Sequence, residues 1–458
     1  MATSIETCGV IARYRKEQQP MRILVLSNFY PPARPGGYTQ WCHEVSDGLR
    51  KKGHDIRVLT SRHEAEKAAQ QSPTDAGEAH VYRLLHLDGD FVRYNALHFF
   101  TQWRRQKREN ETIVRSVIRA VEPDLVFVWG MWAMNHAVPA VAEQLLPSRV
   151  VYFISDYWPA SVDMHTTYWQ KPGRHPLTRP LRALLSKIAL RMLAQEGRPA
   201  LRFRHAICVS DAVRQILIDA GLPFHDAEVI HGGTRLNGFH NIRPRSFDSG
   251  QLKLLYAGQL AQHKGVHTAI EAVASLVNEQ GVRDVHLNVV GAGHPAYESS
   301  LERLVKRKQL DSFVTLRGRV DKEQMPDVLA QADVLLFPSI YEEPFARMTQ
   351  EAMLAGLVVV GTTTGGTKEI LDEGYNGLTF PAGDAEQLAR QVSRLVHNPE
   401  FCRRLATNAR STVLDNYTLD TMVARIEAYL EQVMAATGNN RTNSPSNGVT
   451  DDAHIVRH

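Results

Sequence analysis

Cysteine is scarce in this sequence: the chain of 458 residues has four, at positions 8, 42, 208 and 402. They lie far apart and form no CxxC pair, so their spacing favours neither a zinc site nor a disulfide framework. The chain also lacks an apolar run of about 18 residues, the length that a transmembrane helix requires. The first twenty residues include Arg13, Arg15 and Lys16 without an apolar stretch, and they do not resemble a signal peptide.

An excess of one charge is absent as well. Lysine and arginine number 53 against 49 aspartate and glutamate, for a net charge of +4. This balance alone does not indicate nucleic acid, and we expect no nucleic-acid partner. Hydrophobic residues make up 43% of the chain and charged residues 22%, as in ordinary soluble globular proteins. The four scattered cysteines favour the reducing cytoplasm, and the length of 458 residues predicts two to three domains.

What the sequence does contain is two series of short apolar runs that alternate with helical stretches. Such runs are typical of strands buried on both faces of a parallel sheet. The first series lies at 21–27, 55–60, 124–129, 149–154 and 205–209, and the second at 252–258, 285–291, 313–316, 334–337 and 357–360. The pattern predicts an α/β fold of two doubly wound, Rossmann-like parallel-sheet domains that face a central cleft, where ligands bind at the carboxyl ends of the strands.

A segment rich in Asn, Pro, Ser and Gly at 235–250 separates the two series and predicts the domain boundary. The expected parts are an N-terminal extension (1–20), a first domain (21–240), a second domain (251–417), a final helix (418–436) and a tail (437–458). The tail is polar and rich in Asn, Ser and Thr, so we expect it to be disordered.

The most informative stretch is Glu343-Pro-Phe-Ala-Arg-Met-Thr-Gln-Glu351, which lies between two predicted strands. Pro344 suits the first position of a helix, and Gly356 suits its end. The first amides of a helix lack partners and carry partial positive charge, so they suit an anionic group. Carboxylates beside that anion suit hydroxyl groups. A phosphate next to hydroxyls indicates a sugar nucleotide, although the acids could also simply serve the helix dipole.

Glu343-Pro-Phe followed by Glu351-Ala-Met resembles the signature of the family 4 retaining glycosyltransferases of the GT-B fold. Supporting motifs follow in family order over roughly 21–435. They are Pro31 to Gly37, Lys51-Lys-Gly-His54, Val229-Ile-His-Gly-Gly233, Tyr256-Ala-Gly-Gln-Leu260 with Lys264-Gly265, Val290-Gly-Ala-Gly293, Phe337-Pro-Ser339, Gly365-Gly-Thr-Lys-Glu369 and Asn376-Gly-Leu378. The resemblance also implies that the final helix packs back on the first domain.

The resemblance implies roles for the residues of a donor site. Glu351 is expected to bind the ribose hydroxyls of the nucleotide, and Glu343 the hydroxyls of the transferred sugar. The amides of Phe345 and Ala346 are expected to approach the sugar and the phosphate. The nucleotide base would contact mainly backbone, in the segment that holds Gly318 and Val320.

Two glycine pairs are expected to line the same site. Gly36 and Gly37 would face the donor phosphate from the first domain, because glycine lets a backbone approach a ligand closely. Gly365 and Gly366 would form a similar loop in the second domain, with Glu369 on the helix behind it. The alternative in both cases is an ordinary turn.

The phosphate site departs from the family pattern. The family usually holds the diphosphate with an Arg and a Lys, and this chain has Gln259 and Lys264 at those positions. A charged hydrogen bond contributes about 1.5–3 kcal/mol against about 1 kcal/mol for a neutral one. We hypothesise that Arg347 or Arg235 supplies the missing charge. Arg347 is a candidate because a cation in the first turn of a helix opposes the helix dipole.

The acceptor side departs from the family pattern too. The family often has His-Asp after the fifth strand, where this chain has Ser155-Asp156. Asp156 could orient the acceptor hydroxyl, or it could cap a helix. His165 could stand in for the histidine, although a histidine in a loop is the simpler interpretation.

Other classes of protein fit less well. Eight residues of helix rise about 12 Å, whereas the two carboxyls of a hydrolase lie roughly 5 to 9.5 Å apart. Gly291-Ala-Gly293 lacks the third glycine of a dinucleotide site, and the setting of a phosphorylase pyridoxal-phosphate lysine is not evident. A sugar-nucleotide epimerase and a non-catalytic nucleotide-sugar-binding protein remain as alternatives.

The segment 171–204 is strongly basic, with nine Lys or Arg residues and one acid, Glu196. Part of it is amphipathic, so it could contact an anionic membrane peripherally or guide an acidic or lipid-linked acceptor. The alternative is a solvated helix face that covers the first domain.

Taken together, the sequence predicts a retaining glycosyltransferase that needs no metal or cofactor. It would move a hexose-type sugar from a UDP- or GDP-sugar to a hydroxyl of a glycan, a lipid-linked sugar or a small metabolite. Asp156, Glu343 and Lys264 are the expected catalytic residues. No carboxylate is well placed as a covalent nucleophile, so we expect same-face displacement, in which the leaving phosphate helps to take the acceptor proton.

Overall fold

The computed structural model describes residues 19–32, 36–63, 80–89, 94–173, 176–239, 246–247 and 250–437. Nearly all of the expected N-terminal extension and of the expected disordered tail lies outside these residues. The alternation of strands and helices over the described chain produces two α/β domains.

The first domain is built on parallel strands whose side chains are mostly buried. They are β1 (Arg22–Leu26), β2 (Asp55–Ser61), β3 (Val81–Leu85), β4 (Leu125–Val128), β5 (Val150–Ile154), β6 (His205–Cys208) and β7 (Glu228–Val229). Within the described residues they form one seven-stranded sheet in the order β3-β2-β1-β4-β5-β6-β7. In the register of the sheet, Leu24 lies beside Arg57 on β2 and Val126 on β4.

Helices connect these strands and cover both faces of the sheet, as parallel connections require. They are α1 (Gly37–Lys51), α2 (Ala96–Thr101), α3 (Trp103–Val121), α4 (Ala137–Leu145), α5 (Met164–Gln170), α6 (Arg179–Glu196) and α7 (Asp211–Asp219). A smaller aromatic cluster of Phe99, Trp103 and Trp169 fills the space between α2, α3, α5 and α6.

The second domain repeats this plan. Its strands are β8 (Leu252–Ala257), β9 (Val285–Val290), β10 (Val314–Gly318), β11 (Val334–Phe337), β12 (Val358–Thr362) and β13 (Leu378–Phe380), in the order β10-β9-β8-β11-β12-β13 among the described residues. Its helices are α8 (Val266–Ala274), α9 (Pro295–Arg307), α10 (Met325–Ala330), α11 (Arg347–Leu354), α12 (Ala385–Ser393) and α13 (Pro399–Asn416). Short 3₁₀ turns at Gln262–Lys264, Lys322–Gln324 and Gly365–Glu369 follow three of the strands.

The last helix, α14 (Leu419–Ala436), packs on α1 of the first domain. A β-carbon on Gly48 would lie 2.6 Å from a methyl group of Val423, so the two helices approach closely. Glu427 of α14 accepts hydrogen bonds from Lys52 at 2.6 Å and pairs with His54 at 3.1 Å. The chain therefore crosses from the second domain back to the first at its end.

The order of strands reverses between β1 and β4 in the first sheet and between β8 and β11 in the second. At such a switch point the loops after two neighbouring strands leave in opposite directions and open a crevice, where ligands bind in open α/β sheets. The structure confirms the predicted fold class of two parallel-sheet, Rossmann-like domains.

Three strands were missed, and one local prediction was wrong. The sequence did not indicate β3, β7 or β13, which are edge strands of their sheets. The signature helix begins at Arg347, with Ala346 as its N-cap, so Pro344 lies in the preceding loop and is not the first helical residue. Glu343 is therefore a loop residue, and only part of its separation from Glu351 is helical rise.

Candidate active site

Lys264 and Glu343 meet at the switch point of the second sheet. Lys264 follows β8 and Glu343 follows β11, and the Lys264 Nζ lies 2.6 Å from the Glu343 Oε1. The Ser339 hydroxyl donates to the same oxygen at 2.6 Å. Glu343 is buried, and Lys264 also lies 5.4 Å above the ring of Tyr341. Two of the three expected catalytic residues are thus in direct contact, and 24% of the lysine side chain remains exposed.

The start of α11 adjoins this pair. The amides of Phe345 and Ala346 enter no hydrogen bond within the described residues. Amides at the start of a helix suit a phosphate. The ring of Phe345 lies in the interface between the domains. There it stacks on His231, with the ring centroids 5.1 Å apart, and lies edge-on to Tyr417. The ring therefore fixes the backbone whose amides are free.

Arg347, the first residue of α11, is held by carboxylates from both domains. Its Nη1 and Nη2 donate to the two oxygens of Glu44 on α1 at 2.9 and 3.0 Å. Its Nε donates to Glu351 one helical turn along at 3.0 Å. Arg235 also contacts Glu44 at 3.0 Å. The two cations proposed to replace the missing phosphate ligand therefore converge on one buried carboxylate.

The opposite charges of Glu44 and Arg347 shift each other's pKa toward the ionised form. Burial by itself would raise the pKa of Glu44, but the hydrogen bonds and charge of Arg347 outweigh it, and the pKa lies below its usual value. Burial likewise opposes the charge of Arg347, and its contacts with Glu44 and Glu351 raise its pKa overall. Lys322 stands nearby, with a pKa lowered by burial and by Arg347. Glu44 and Arg347 thus stabilise each other's charged forms.

The other predicted donor residues lie at the same edges of the sheets. Gly36 is the N-cap of α1 and Gly37 its first residue, and the space in front of both is open. Gln259 follows β8 with an exposed side chain. Gly318 ends β10, and Val320 follows it half-buried. These positions all follow or precede elements at the carboxyl ends of the two sheets.

Gly365 and Gly366 have a different role from the one expected. A β-carbon on Gly365 would lie 2.2 Å from the carbonyl oxygen of Glu343, and one on Gly366 would lie 2.2 Å from that of Pro344. The Gly366 amide donates to the Glu343 carbonyl at 2.7 Å. This loop is packed against the signature loop itself, so it holds Glu343 in place and is not open to a ligand.

Asp156 faces the second domain from the end of β5. Burial raises the pKa of its carboxyl to about 6, although the Trp158 amide donates to it at 2.9 Å and opposes the shift. The neighbouring Tyr157 hydroxyl donates to the Glu342 carbonyl at 2.9 Å, and its ring lies 6.0 Å from that of Tyr341. Burial, followed by the charges of Asp156 and Glu343, raises the pKa of Tyr341 to about 12. The aromatic pair thus joins the acceptor side to the donor side.

His165 is neither a loop histidine nor part of this crevice. It lies on α5, almost fully buried among Phe99, Trp103 and Tyr94, whose hydroxyl is 2.8 Å from its Nδ1. Burial lowers its pKa to about 4, so the ring is neutral. Its Nε2 has no partner within the described residues. Ser155, at the family's histidine position, is buried and its hydroxyl is also without a described partner.

A second hollow, with a mostly apolar lining and a few polar groups, opens at the carboxyl ends of β3, β4 and β5. Three adjoining cavities of 750, 330 and 420 Å³ share Asp88 as a lining residue, and His165 lines two of them. Asp163 and Arg198 also line the hollow, together with the aromatic faces of Tyr94, Trp132, Trp158 and Tyr168. Burial, reinforced by Asp163, raises the pKa of Asp88 to about 7.

Glu369 of the second domain forms contacts with the first domain. Its carboxylate accepts the amides of Asp211 and Ala212, the first residues of α7, at 3.0 and 2.9 Å. It also pairs with His231 at 2.8 Å, and these contacts outweigh its burial and lower its pKa. Ser210 adds a hydrogen bond to the Pro344 carbonyl at 2.6 Å. A carboxylate of the second domain therefore satisfies a helix terminus of the first.

Sequence reasoning missed Glu44, Ser339, Tyr157 and Asp88. Ser339 ends the Phe337-Pro-Ser339 motif and Tyr157 follows Ser155-Asp156, so their positions were a usable signal. Glu44 looks like any helix residue, and its partner Arg347 is 303 positions away. Among the described residues no group of three His, Cys, Asp or Glu side chains is arranged as a metal site requires.

No helix among the described residues has both the length and the apolar character needed to cross a membrane.

Comparison with known proteins identifies the family of the chain. The family model for group 1 glycosyl transferases matches residues 240–412, and the model for glycosyltransferase family 4 matches residues 35–237. Alpha-D-kanosaminyltransferase of Streptomyces kanamyceticus is 28% identical over 237 residues, which is 52% of this chain and 58% of that protein. Glycogen synthase of Mycobacterium tuberculosis is 25% identical over 429 residues, 90% of this chain and 94% of the relative.

Solved structures share the fold. A glycosyltransferase of Rickettsia africae superposes with a TM-score of 0.66 at 16% identity, over 91% of this chain and 99% of that one. HepE of Anabaena in complex with UDP-glucose gives 0.64 at 20% identity, over 90% and 100%. With one family model on each domain and the GT-B arrangement between them, the chain belongs to the group 1, family 4 glycosyltransferases.

Proposed function

We propose that this enzyme transfers a sugar from a nucleoside-diphosphate sugar to an acceptor hydroxyl with retention of configuration at the anomeric carbon. The contact of Lys264 with Glu343, beside the free amides that begin α11, carries the proposal. The amides and Lys264 suit the diphosphate, whose negative charge grows as it departs. Glu343, fixed by Lys264 and Ser339, suits the hydroxyls of the donor sugar.

The proposed arrangement puts the nucleotide on the second domain. Glu351 would accept the ribose hydroxyls, with Arg347 holding its carboxylate in place. The base would lie along the segment of Gly318 and Val320. Lysine and backbone amides provide the positive charge, so the proposal requires no metal ion and no cofactor.

The acceptor would bind on the first domain, in the hollow around Asp88. Aromatic faces and unpaired polar groups suit a ring that carries hydroxyl groups, because such a ring has both apolar and polar surfaces. Asp156 would orient the attacking hydroxyl, and the leaving phosphate would take its proton on the same face of the sugar. The contact between the two domains at Glu369 would keep water away from the reacting centre.

The donor base is proposed from a structural relative. HepE of Anabaena was crystallised with UDP-glucose, which makes a UDP-sugar the first donor to test and a GDP-sugar the second. A thermal-shift screen of UDP-glucose, UDP-N-acetylglucosamine, GDP-mannose and ADP-glucose is the direct experiment. A ligand at 100 times its Kd adds about 2.7 kcal/mol to stability, which such a screen detects readily.

The reaction itself is tested by release of nucleoside diphosphate with the donor found in that screen. Release should be abolished by Lys264→Ala and be unchanged by EDTA, and NMR of the product should show the anomeric configuration of the donor. The Arg303→Ala variant on the outer surface of α9 serves as the control for substitution of a cation. A product of inverted configuration, or conversion of the donor to its epimer without transfer, would contradict the proposal.

A further inference from the structure

Helix α6 of the first domain carries apolar side chains in contact with solvent. Leu181, Leu184 and Ile188 have exposures of 61, 58 and 45%, and Leu177 in the turn before the helix is 86% exposed. Positions 181, 184 and 188 have the i, i+3, i+7 spacing of one helix face. We call Leu177, Leu181, Leu184 and Ile188 the leucine stripe. Single exposed leucines are ordinary, whereas an aligned row of them indicates a surface that is covered in use.

The inner face of α6 already has its partners. Ala189 is fully buried, and Leu185, Leu190 and Leu193 pack on the aromatic cluster of the first domain. Arg182 stacks over the ring of Tyr168 at 3.9 Å and donates to its carbonyl at 2.7 Å. The inner contacts fix the rotation of the helix about its axis. The leucine stripe therefore lies largely outside the packing of the domain.

Positive charge borders the stripe. Lys187 and Arg191 are exposed and lie three residues after Leu184 and Ile188 respectively, on the same face. Arg179 is exposed at the start of the helix. The one acid of α6, Glu196 at its end, is neutralised by Lys107 at 2.7 Å. Among the described residues of α6, the charged side chains beside this apolar row are cations. This pattern suits an anionic bilayer, where apolar side chains can contact acyl chains and cations can contact phosphate headgroups.

We propose that the leucine stripe and its flanking cations dock the first domain on the surface of an anionic lipid bilayer. The leucines would enter the boundary between headgroups and acyl chains, and Lys187 and Arg191 would reach the phosphates beside them. A second copy of the chain fits this face less well. Two copies related by a two-fold axis would bring the same cations together, where like charges repel.

Helix α6 also forms one wall of the hollow around Asp88. Leu190 and Leu193 on its inner face line the 330 Å³ cavity that shares Asp88 with the rest of the hollow. A bilayer held at the outer face of α6 would therefore lie one helix thickness, about 10 Å, from that hollow. This placement would suit an acceptor carried by a lipid. The docking itself does not depend on the proposed reaction.

Flotation with unilamellar vesicles tests the proposal on the whole protein. Vesicles of phosphatidylcholine containing one third phosphatidylglycerol should retain the protein at low ionic strength. Vesicles of phosphatidylcholine alone should retain at least about tenfold less, and salt should weaken the retention because it screens exposed charges beyond about 10 Å at 0.1 M. Failure of the anionic vesicles to bind the protein at low ionic strength overturns the proposal.

Two variants separate the apolar and charged parts. The triple variant Leu181→Asn, Leu184→Asn, Ile188→Asn and the double variant Lys187→Glu, Arg191→Glu should each lower vesicle affinity at least about tenfold. The matched control is Arg303→Glu, Arg307→Glu on α9, two exposed cations at the same spacing, which should bind vesicles as the wild type does. Vesicle binding that either α6 variant leaves unchanged refutes the proposal.

Two further measurements distinguish docking on a bilayer from self-association and from loss of donor binding. Light scattering after gel filtration should show the same molar mass for the wild type and the triple variant without lipid, whereas stripe-dependent dimers without vesicle binding would mean that a second copy covers the face. The thermal shift with nucleotide sugars should be the same in both α6 variants. Loss of that shift in every form of the protein would instead contradict the proposed function.

Discussion

Arg347 donates two parallel hydrogen bonds, of 2.9 and 3.0 Å, to the two carboxylate oxygens of Glu44 across the cleft between the domains. Glu44 is almost fully buried, and the same arginine turns back to hold Glu351, the expected ribose ligand. A single guanidinium thus links the closure of the two domains to the geometry of the donor site. Arginine suits this role because its planar fork matches a carboxylate at two points.

We expect Glu44→Gln to lower the free energy of unfolding by about 3 kcal/mol, because it leaves Arg347 buried without its main counter-charge. Urea denaturation measures this. Glu373→Gln is the control, since Glu373 pairs with Arg394 at 2.8 Å with both side chains more than 40% exposed. The control should cost less than about 1 kcal/mol. Equal effects of the two substitutions would show that the cross-domain pair adds no more stability than an exposed pair.

Arg347→Ala should weaken donor binding about 10- to 150-fold, the equivalent of about 1.5–3 kcal/mol for a hydrogen bond to a charged group. The reason is that Glu351 loses the side chain that orients it. Calorimetric titration of the nucleotide sugar measures the Kd. Arg303→Ala should bind the donor as the wild type does. Unchanged donor affinity and kcat in Arg347→Ala would exclude Arg347 from the donor site, and Arg235→Ala would then be the next variant.

Asp156 should give the pH–rate profile an acid limb. Burial raises its pKa to about 6, so the carboxylate that can orient a hydroxyl predominates above this pH and is lost as the pH falls through it. We expect kcat/KM to fall below pH 6 in the wild type. The Asp156→Asn variant should be slower at neutral pH and should lack this limb. A limb that persists in Asp156→Asn would assign it to another group.

Gly365→Ala should lower the stability of the fold by more than the positive φ of Gly365 alone explains. Gly365 has φ of +54° and would place a β-carbon 2.2 Å from the Glu343 carbonyl oxygen, whereas Gly374 has φ of +75° and open space around it. Gly374→Ala therefore isolates the conformational cost, about 1 kcal/mol. We expect Gly365→Ala to cost more stability than that and to reduce kcat, because the loop of Glu343 must move. Similar losses in both variants would contradict the packing role of Gly365.

Asp88→Asn should stabilise the fold at pH 8 while it weakens acceptor binding. The folded-state pKa of Asp88 is raised to about 7, so the wild type loses stability as the pH rises from about 4, where the unfolded carboxyl ionises, through 7. The amide avoids this penalty, and thermal unfolding at pH 8 should show a gain on the order of 1 kcal/mol or more, with little difference at pH 4.

The same variant should raise the KM for the acceptor without changing the Kd of the donor. A gain in stability at the expense of acceptor binding is the expected behaviour of a strained functional group. If Asp88→Asn proved neutral in both measurements, the hollow would not be the acceptor site. A loss of donor binding would instead indicate that the substitution acts on the whole domain.

The two sheets could be predicted from the sequence because their central strands are buried on both faces, which forces continuous apolar runs such as Ile23 to Leu26. The missed strands β3, β7 and β13 are edge strands with one neighbour each. An edge strand tolerates polar residues, as Arg83 in β3 shows, and β7 has two residues. Their apolar pattern is too weak or too short to predict a strand.

The sequence by itself determined the fold class and the signature of the donor site, since both are written in local patterns: apolar periodicity, a proline, two glutamates and the order of the motifs. Only the tertiary structure decided which charges pair. In the folded chain Glu44 contacts Arg347, Glu369 accepts amides at the start of α7, and Asp88 lines a hollow. Contacts between residues far apart in the chain depend on how two domains meet, and that surface has no periodicity that a linear sequence reveals.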